Sequence, residues 1–96
     1  MKKRFVIVTT DKDRKGVFAG DLVEHDKMNN TVVLENAQMA VYWGIETQGV
    51  LGLASSGPQN GSRITPIIPR IELNGVTSIM DTTKLAESQW KKQLWG

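Results

Sequence analysis

Asn74-Gly75, set between Arg70-Ile71-Glu72-Leu73 and Val76-Thr77-Ser78-Ile79-Met80, commits this chain to β structure. The first flanking run alternates polar with apolar side chains, as a strand with one buried face does, and the second is rich in β-branched residues. An Asn-Gly pair supplies the left-handed dihedrals that a two-residue hairpin turn demands. The expectation is a hairpin, with one strand over 70–73 returning over 76–80.

More strands are predicted upstream. Arg4-Phe5-Val6-Ile7-Val8-Thr9-Thr10 is dense in β-branched and aromatic residues and runs into the charged cluster Asp11-Lys12-Asp13-Arg14-Lys15, closed by Gly16. That pattern is a strand followed by a turn. A second strand spans Val17 to Glu24, with Phe18 and Leu22 on one face; Gly20 in its middle predicts a bulge or a close approach of backbone, and so a bend. The polar stretch His25-Asp26-Lys27-Met28-Asn29-Asn30 connects it to a return strand, Thr31-Val32-Val33-Leu34-Glu35, completing an antiparallel meander. Asn36-Ala37 is expected to break the run before a further short strand, Met39 to Gly44.

Between Gly44 and Gly61 the chain carries five glycines, at 44, 49, 52, 57 and 61, around Val50-Leu51-Gly52-Leu53-Ala54. Each glycine in a helix costs about 1 kcal/mol relative to alanine, yet leucine and alanine favour one, so a turn or two of helix is expected here. Ser55 to Ser62 is a loop. Pro66 and Pro69 lack the N–H that a sheet ladder needs and confine their stretch to an edge or an extended connection. Asp81-Thr82-Thr83 offers capping side chains for a helix over about 84–94, with Ala86, Trp90 and Leu94 along one face. The architecture implied is a single mainly β domain over 1–96, with sheet over 4–80 and one C-terminal helix. It is a small twisted antiparallel sheet or partly open barrel with the helix docked on one side.

Ninety-six residues suit one hydrophobic core, and a core this small gains from oligomerisation, so a homo-oligomer is expected. The absence of cysteine excludes disulfides, thiolate metal sites and thiol nucleophiles, and favours a reducing, cytoplasmic setting. Met1-Lys2-Lys3-Arg4 resembles the start of a secretory signal, but the apolar run that follows, Phe5 to Val8, is too short to be one. No stretch approaches the roughly 20 apolar residues of a spanning helix. A formal net charge of +2 is too mild for a protein that tracks nucleic-acid phosphates, and Lys2-Lys3-Arg4 and Lys91-Lys92 fit solvated chain ends.

The inventory for catalysis is thin, and a non-enzymatic role without cofactor or metal is expected. His25 is the one histidine and falls in the polar connection beside Glu24 and Asp26, with no second imidazole or thiolate to complete a zinc site. The carboxylate pairs Asp11 with Asp13 and Glu24 with Asp26 are accompanied by lysines, as in solvated turns. Gly57-Pro58-Gln59-Asn60-Gly61-Ser62-Arg63 lacks the lysine and following helix of a nucleotide-triphosphate loop, but Ser62 and Arg63 could meet an anion. Tyr42-Trp43 point to opposite sides of an extended chain, so one is expected in the core and the other outside, where it could stack on a ring beside an arginine. Candidate ligand contacts are therefore Tyr42, Trp43, Ser62, Arg63 and Arg70. Trp90 and Trp95 lie five apart, about 140° around a helix, so one of them, with Leu94, is a candidate contact with a partner or second subunit.

Val6-Ile7-Val8, Gly16-Val17-Phe18-Ala19-Gly20, Val32-Val33-Leu34-Glu35-Asn36-Ala37 leading to Val41-Tyr42-Trp43, and Pro69-Arg70-Ile71-Glu72-Leu73 together resemble a family of small uncharacterised proteins of tailed phages and prophages. The resemblance covers 4–80 and implies a phage gene product acting in the host cytoplasm; it supplies no activity. Small phage proteins without catalytic residues mostly act by binding. The leading expectation is an oligomeric counter-defence sponge that sequesters a host immune nucleotide signal, with Tyr42 or Trp43 on the base and Arg63 or Arg70 on phosphate. The alternatives are an interaction module that grips a host or viral protein through the C-terminal helix and a sheet edge, and a minor virion or assembly protein.

Overall fold

The computed structural model describes residues 4–11 and 16–92. Its strands are β1 (Arg4–Thr10), β2 (Gly16–Asp26), β3 (Thr31–Tyr42), β4 (Arg63–Ile64), β5 (Ile68–Asn74) and β6 (Val76–Asp81), and its helices are α1 (Gly49–Ser55) and α2 (Lys84–Lys91). All pairings are antiparallel, in the order β4-β3-β2-β1-β6, with β5 also on β3. The mainly β class with one C-terminal helix is as expected. Among the described residues no helix is long and apolar enough to cross a membrane.

The meander β1-β2-β3 is also as expected, but β3 does not break at Asn36-Ala37. It runs on as one strand of 12 residues. On β2, Ala19 lies opposite Gln38 and Asp21 opposite Glu35, so Gly20 alone faces the pair Asn36-Ala37. That is a β-bulge, with one residue answered by two. Asn36 takes the left-handed conformation at φ 51°, which asparagine tolerates better than most residues, and its Nδ2 donates to Asp21 Oδ2 at 3.1 Å. Gly20 is required because a Cβ there would stand 2.9 Å from the Glu35 carbonyl oxygen and 3.2 Å from the Ala37 Cα. The bend expected at Gly20 is present, and Asn36-Ala37 is its other half. A second irregularity leaves Val23 without an opposite residue, since Leu22 pairs with Leu34 and Glu24 with Val33.

The Asn74-Gly75 hairpin is corrected by the strand pairing. β5 pairs with β3 and β6 pairs with β1, not with each other. Gly75 adopts the left-handed conformation expected of it, at φ 66°, but the chain bends there instead of reversing. In a flat sheet β5 and β6 would lie about 19 Å apart, four strand spacings. One residue cannot bridge that distance, since consecutive Cα atoms are about 3.8 Å apart. The sheet therefore curls until its two ends are joined through Gly75, whose carbonyl accepts from the Asp11 N–H at 3.1 Å.

Curling gives the sheet two apolar faces. Val6, Val8, Val32, Leu34, Ala37 and Leu73 fill the inside of the curl. Phe5, Ile7, Ala19, Ala40 and Ile64 face outwards and are covered by Leu53 and Ala54 of α1 and Trp90 of α2. β1 is thus buried on both sides, which is why its Phe5-Val6-Ile7-Val8 run is continuously apolar. Helix α2 starts where the capping residues predict: Thr83 Oγ1 accepts from the Ala86 N–H at 3.0 Å. Trp90 is fully buried, and its Nε1 donates to the Leu53 carbonyl at 3.1 Å.

Three outcomes test this arrangement. Trp90→Ala removes the largest buried side chain and is expected to lose about 3–5 kcal/mol of unfolding free energy, a large part of the 5–15 kcal/mol of an ordinary domain; denaturant titration measures it. Gly20→Ala is expected to lower the same free energy by about 1–3 kcal/mol through overpacking, whereas Asn36→Gly leaves it near the parent value. The third concerns the β2–β3 turn, where the Asn29 side-chain amide donates to Asp26, with further bonds from the Asn29 and Met28 N–H groups. These bonds hold the Asp26 carboxyl below its ordinary value. Its contribution to stability is therefore complete above about pH 4 and lost as pH falls through the lowered value. The melting-temperature gap between the parent and Asp26→Ala should narrow between pH 6 and pH 2.5; a constant gap would refute this.

Candidate functional site

Strand β4 is two residues long, and it sets the candidate site. It pairs with the far end of β3, so that Arg63 lies opposite Tyr42 and Ile64 opposite Ala40. The register shifts between the two pairs, with Val41 as the extra residue on β3. Tyr42 and Arg63 are both exposed and, with Val41 and Gly61, line a groove of about 530 Å³. Two of the ligand contacts expected from the sequence are thus brought together. Val41 and Gly61 were not among them. Gly61 contributes space, for among the described residues beyond its chain neighbours no atom lies within 4 Å of where a Cβ would stand.

The remaining candidates separate. Trp43 is half-buried and packs against the outer apolar cluster, so it is the core member of the aromatic pair and Tyr42 the outward one. Ser62 is fully buried, with its Oγ 3.5 Å from Thr47 Oγ1, which in turn accepts from the Gln59 N–H at 3.1 Å. Its hydroxyl is spent tying the loop to the 3-10 turn Ile45–Thr47, and it is corrected from an anion contact to an internal tie. Arg70 sits on β5 opposite Glu35, seven positions before Tyr42 on β3, roughly 20 Å away along the strand. Its guanidinium pairs with Glu72 Oε1 at 3.1 Å. It is not part of the Tyr42–Arg63 groove.

The partner contacts expected on the last helix also change. Trp90 is used inside the chain's own core, where it joins α2 to α1, so it offers no surface to another protein. Leu94 and Trp95 lie outside the described residues. His25 is exposed near the end of β2 opposite Val32, inside the strand and not in the connection.

Gln38 is a buried polar side chain that inspection of the sequence passed over. Its Nε2 donates to the Trp90 carbonyl at 3.0 Å and the Thr65 carbonyl at 3.3 Å, and its Oε1 is the one buried side-chain polar atom among the described residues without a hydrogen-bond partner. The amide clamps the end of α2 and the chain after β4 onto β3. The charge the groove can present comes from Arg63, and its ring surface from Tyr42. Together they can hold a planar group against the phenol and an anion at the guanidinium. No curated protein and no solved structure matches the chain. The family model of a domain of unknown function (DUF6948) matches residues 3–90, and the chain belongs to that family.

Proposed function

We propose that this protein is a non-catalytic binding protein that takes a small nucleotide-type ligand in the groove between Tyr42 and Arg63. The observation that carries the reading is the β3–β4 register, which sets an exposed phenol directly across from an exposed guanidinium on one groove. Its volume of about 530 Å³ falls within the roughly 300–1,000 Å³ of small-molecule sites. Stacking of a base on an aromatic ring is worth about 1–3 kcal/mol, and a guanidinium matches phosphate oxygens with two parallel hydrogen bonds. The fuller form of the proposal is a homo-oligomeric, phage-encoded sponge that withdraws a host immune nucleotide signal. It is supported by the resemblance of the Asn36-Ala37 to Trp43 segment and by a sequence with one histidine and no cysteine.

Native mass spectrometry of the protein as purified reports subunit number and any retained ligand together. In thermal-shift titrations with cyclic and ADP-ribose-type nucleotides, at least one is expected to raise the melting temperature. Tyr42→Ala and Arg63→Ala should each weaken its binding about tenfold or more, equivalent to about 1.4 kcal/mol, while Arg70→Ala should not. No stabilisation across the panel at millimolar nucleotide would end the proposal.

A further inference from the structure

We infer that the protein has a second ligand site, an apolar groove at the gap between β4 and β5, which takes an uncharged, largely hydrocarbon or aromatic small molecule. The groove arises because β3 changes partner along one edge. β5 covers it as far as Ala37, opposite Ile68, and β4 begins at Ala40, opposite Ile64. Between them Thr65 still bonds to Met39, but Pro66-Ile67 leave the ladder, and Pro66 has no N–H with which to continue it. The inner apolar cluster comes to the surface at this gap. Phe18 and Ile71, which pack on that cluster, and buried Ala37 line the groove together with Met39, Pro66 and Ile68.

The lining decides the ligand class. Among the described residues no charged side chain lines the groove, and the polar residues that do are Gln38 and Thr65. Gln38 is engaged through its Nε2 while its Oε1 has no partner among the described residues, and the Thr65 hydroxyl accepts from the Met39 N–H at 2.8 Å. These are neutral dipoles that can answer a hydroxyl but carry no charge to offset the lost hydration of an ion, whereas an apolar ring gains contact on several sides. The volume of about 350 Å³ is that of a small-molecule pocket, and openings in barrel-like sheets are a common place for one. A flat contact with another protein would need a wider face, since stable interfaces bury about 800 Å² on each partner.

The groove is separate from the Tyr42–Arg63 site and is tested independently of it. The probes are 1-naphthol, which is neutral, and 1-naphthoate, its charged counterpart, titrated to millimolar concentration against the isotope-labelled protein. Naphthol is expected to shift the backbone amides of Phe18, Met39, Ile68 and Ile71 saturably, and naphthoate to bind at least tenfold more weakly. Ile68 is exposed and pairs through its backbone, so Ile68→Glu should keep the fold while weakening naphthol about tenfold; Ile68→Thr, which keeps the β-branch, provides the check if the charge perturbs β5. Tyr42→Ala should leave naphthol binding unchanged. Absence of saturable shifts at those amides, or equal binding of naphthoate, overturns the inference. So does concentration-dependent dimerisation in sedimentation that Ile68→Glu abolishes, because the groove's occupant would then be a second copy of the chain.

Discussion

The opposition of Gly20 to Asn36 and Ala37 governs the geometry of this domain. Before the bulge, Val32 and Leu34 point inside the curl; after it, Ala37 points inside and Ala40 points out beneath the helices. An uninterrupted strand would keep even-numbered residues on the inner face, so Ala40 would be lost to the helix-covered side. One inserted residue reverses the phase, and β3 gives Val32, Leu34 and Ala37 to the inner cluster and still gives Ala40 to the outer one. The same insertion bends the ladder and strengthens its twist, which suits a sheet whose two ends must be joined through Gly75. Asn36 supplies the left-handed backbone and Gly20 the missing Cβ, and neither is sufficient without the other.

Local chemistry was legible where it acts locally. The β-branched run of β1, the bend at Gly20, the Thr83 cap and the short helix among the glycines all follow from residues next to one another. Gly52 shows why the helix tolerates a residue that disfavours it: a Cβ there would stand 1.6 Å from the Thr47 carbonyl oxygen, so the helix and the preceding 3-10 turn pack as closely as they do only with glycine. Partner choice was not legible. Asn74-Gly75 specifies a left-handed residue, which is present, but whether the chain reverses or bends depends on whether β1 and β3 offer better edges than β5 and β6 offer each other. They do: β1 is apolar on both faces and β3, at 12 residues, is longer than β5 or β6. No pattern within 70–80 records that competition.

The candidate site was legible by half for the same reason. Tyr42 outward and Trp43 inward follows from alternation along one strand, but Tyr42 beside Arg63 depends on a pairing 21 residues apart in the chain. Ser62 and Arg63 looked equivalent as anion contacts in a glycine-rich loop; the tie to Thr47 buries the serine just before β4, and the arginine at its start is exposed. Trp90 looked like a spare aromatic on a short helix. It is buried because α1 brings a backbone carbonyl to its indole nitrogen, an acceptor that no helical periodicity foretells.

Both proposed grooves trace to the length of β3. At 12 residues it is longer than either strand on its outer edge, so that edge is shared, β5 serving its beginning and β4 its end. A shared edge needs a handover where backbone groups are still satisfied. Thr65 provides it, donating its N–H to the Met39 carbonyl and accepting the Met39 N–H on its hydroxyl. The handover cannot be filled in the way a strand would fill it, because Pro66 turns the chain out of the sheet. On the β5 side it leaves Phe18 and Ile71, at the fringe of the inner apolar cluster, lining a groove, and on the other β4 is too short to cover the end of β3, so that Tyr42 and Arg63 line a second one. An apolar recess lined by Thr65 and a polar, aromatic one lined by Arg63 therefore belong to one short stretch of chain along the edge of β3.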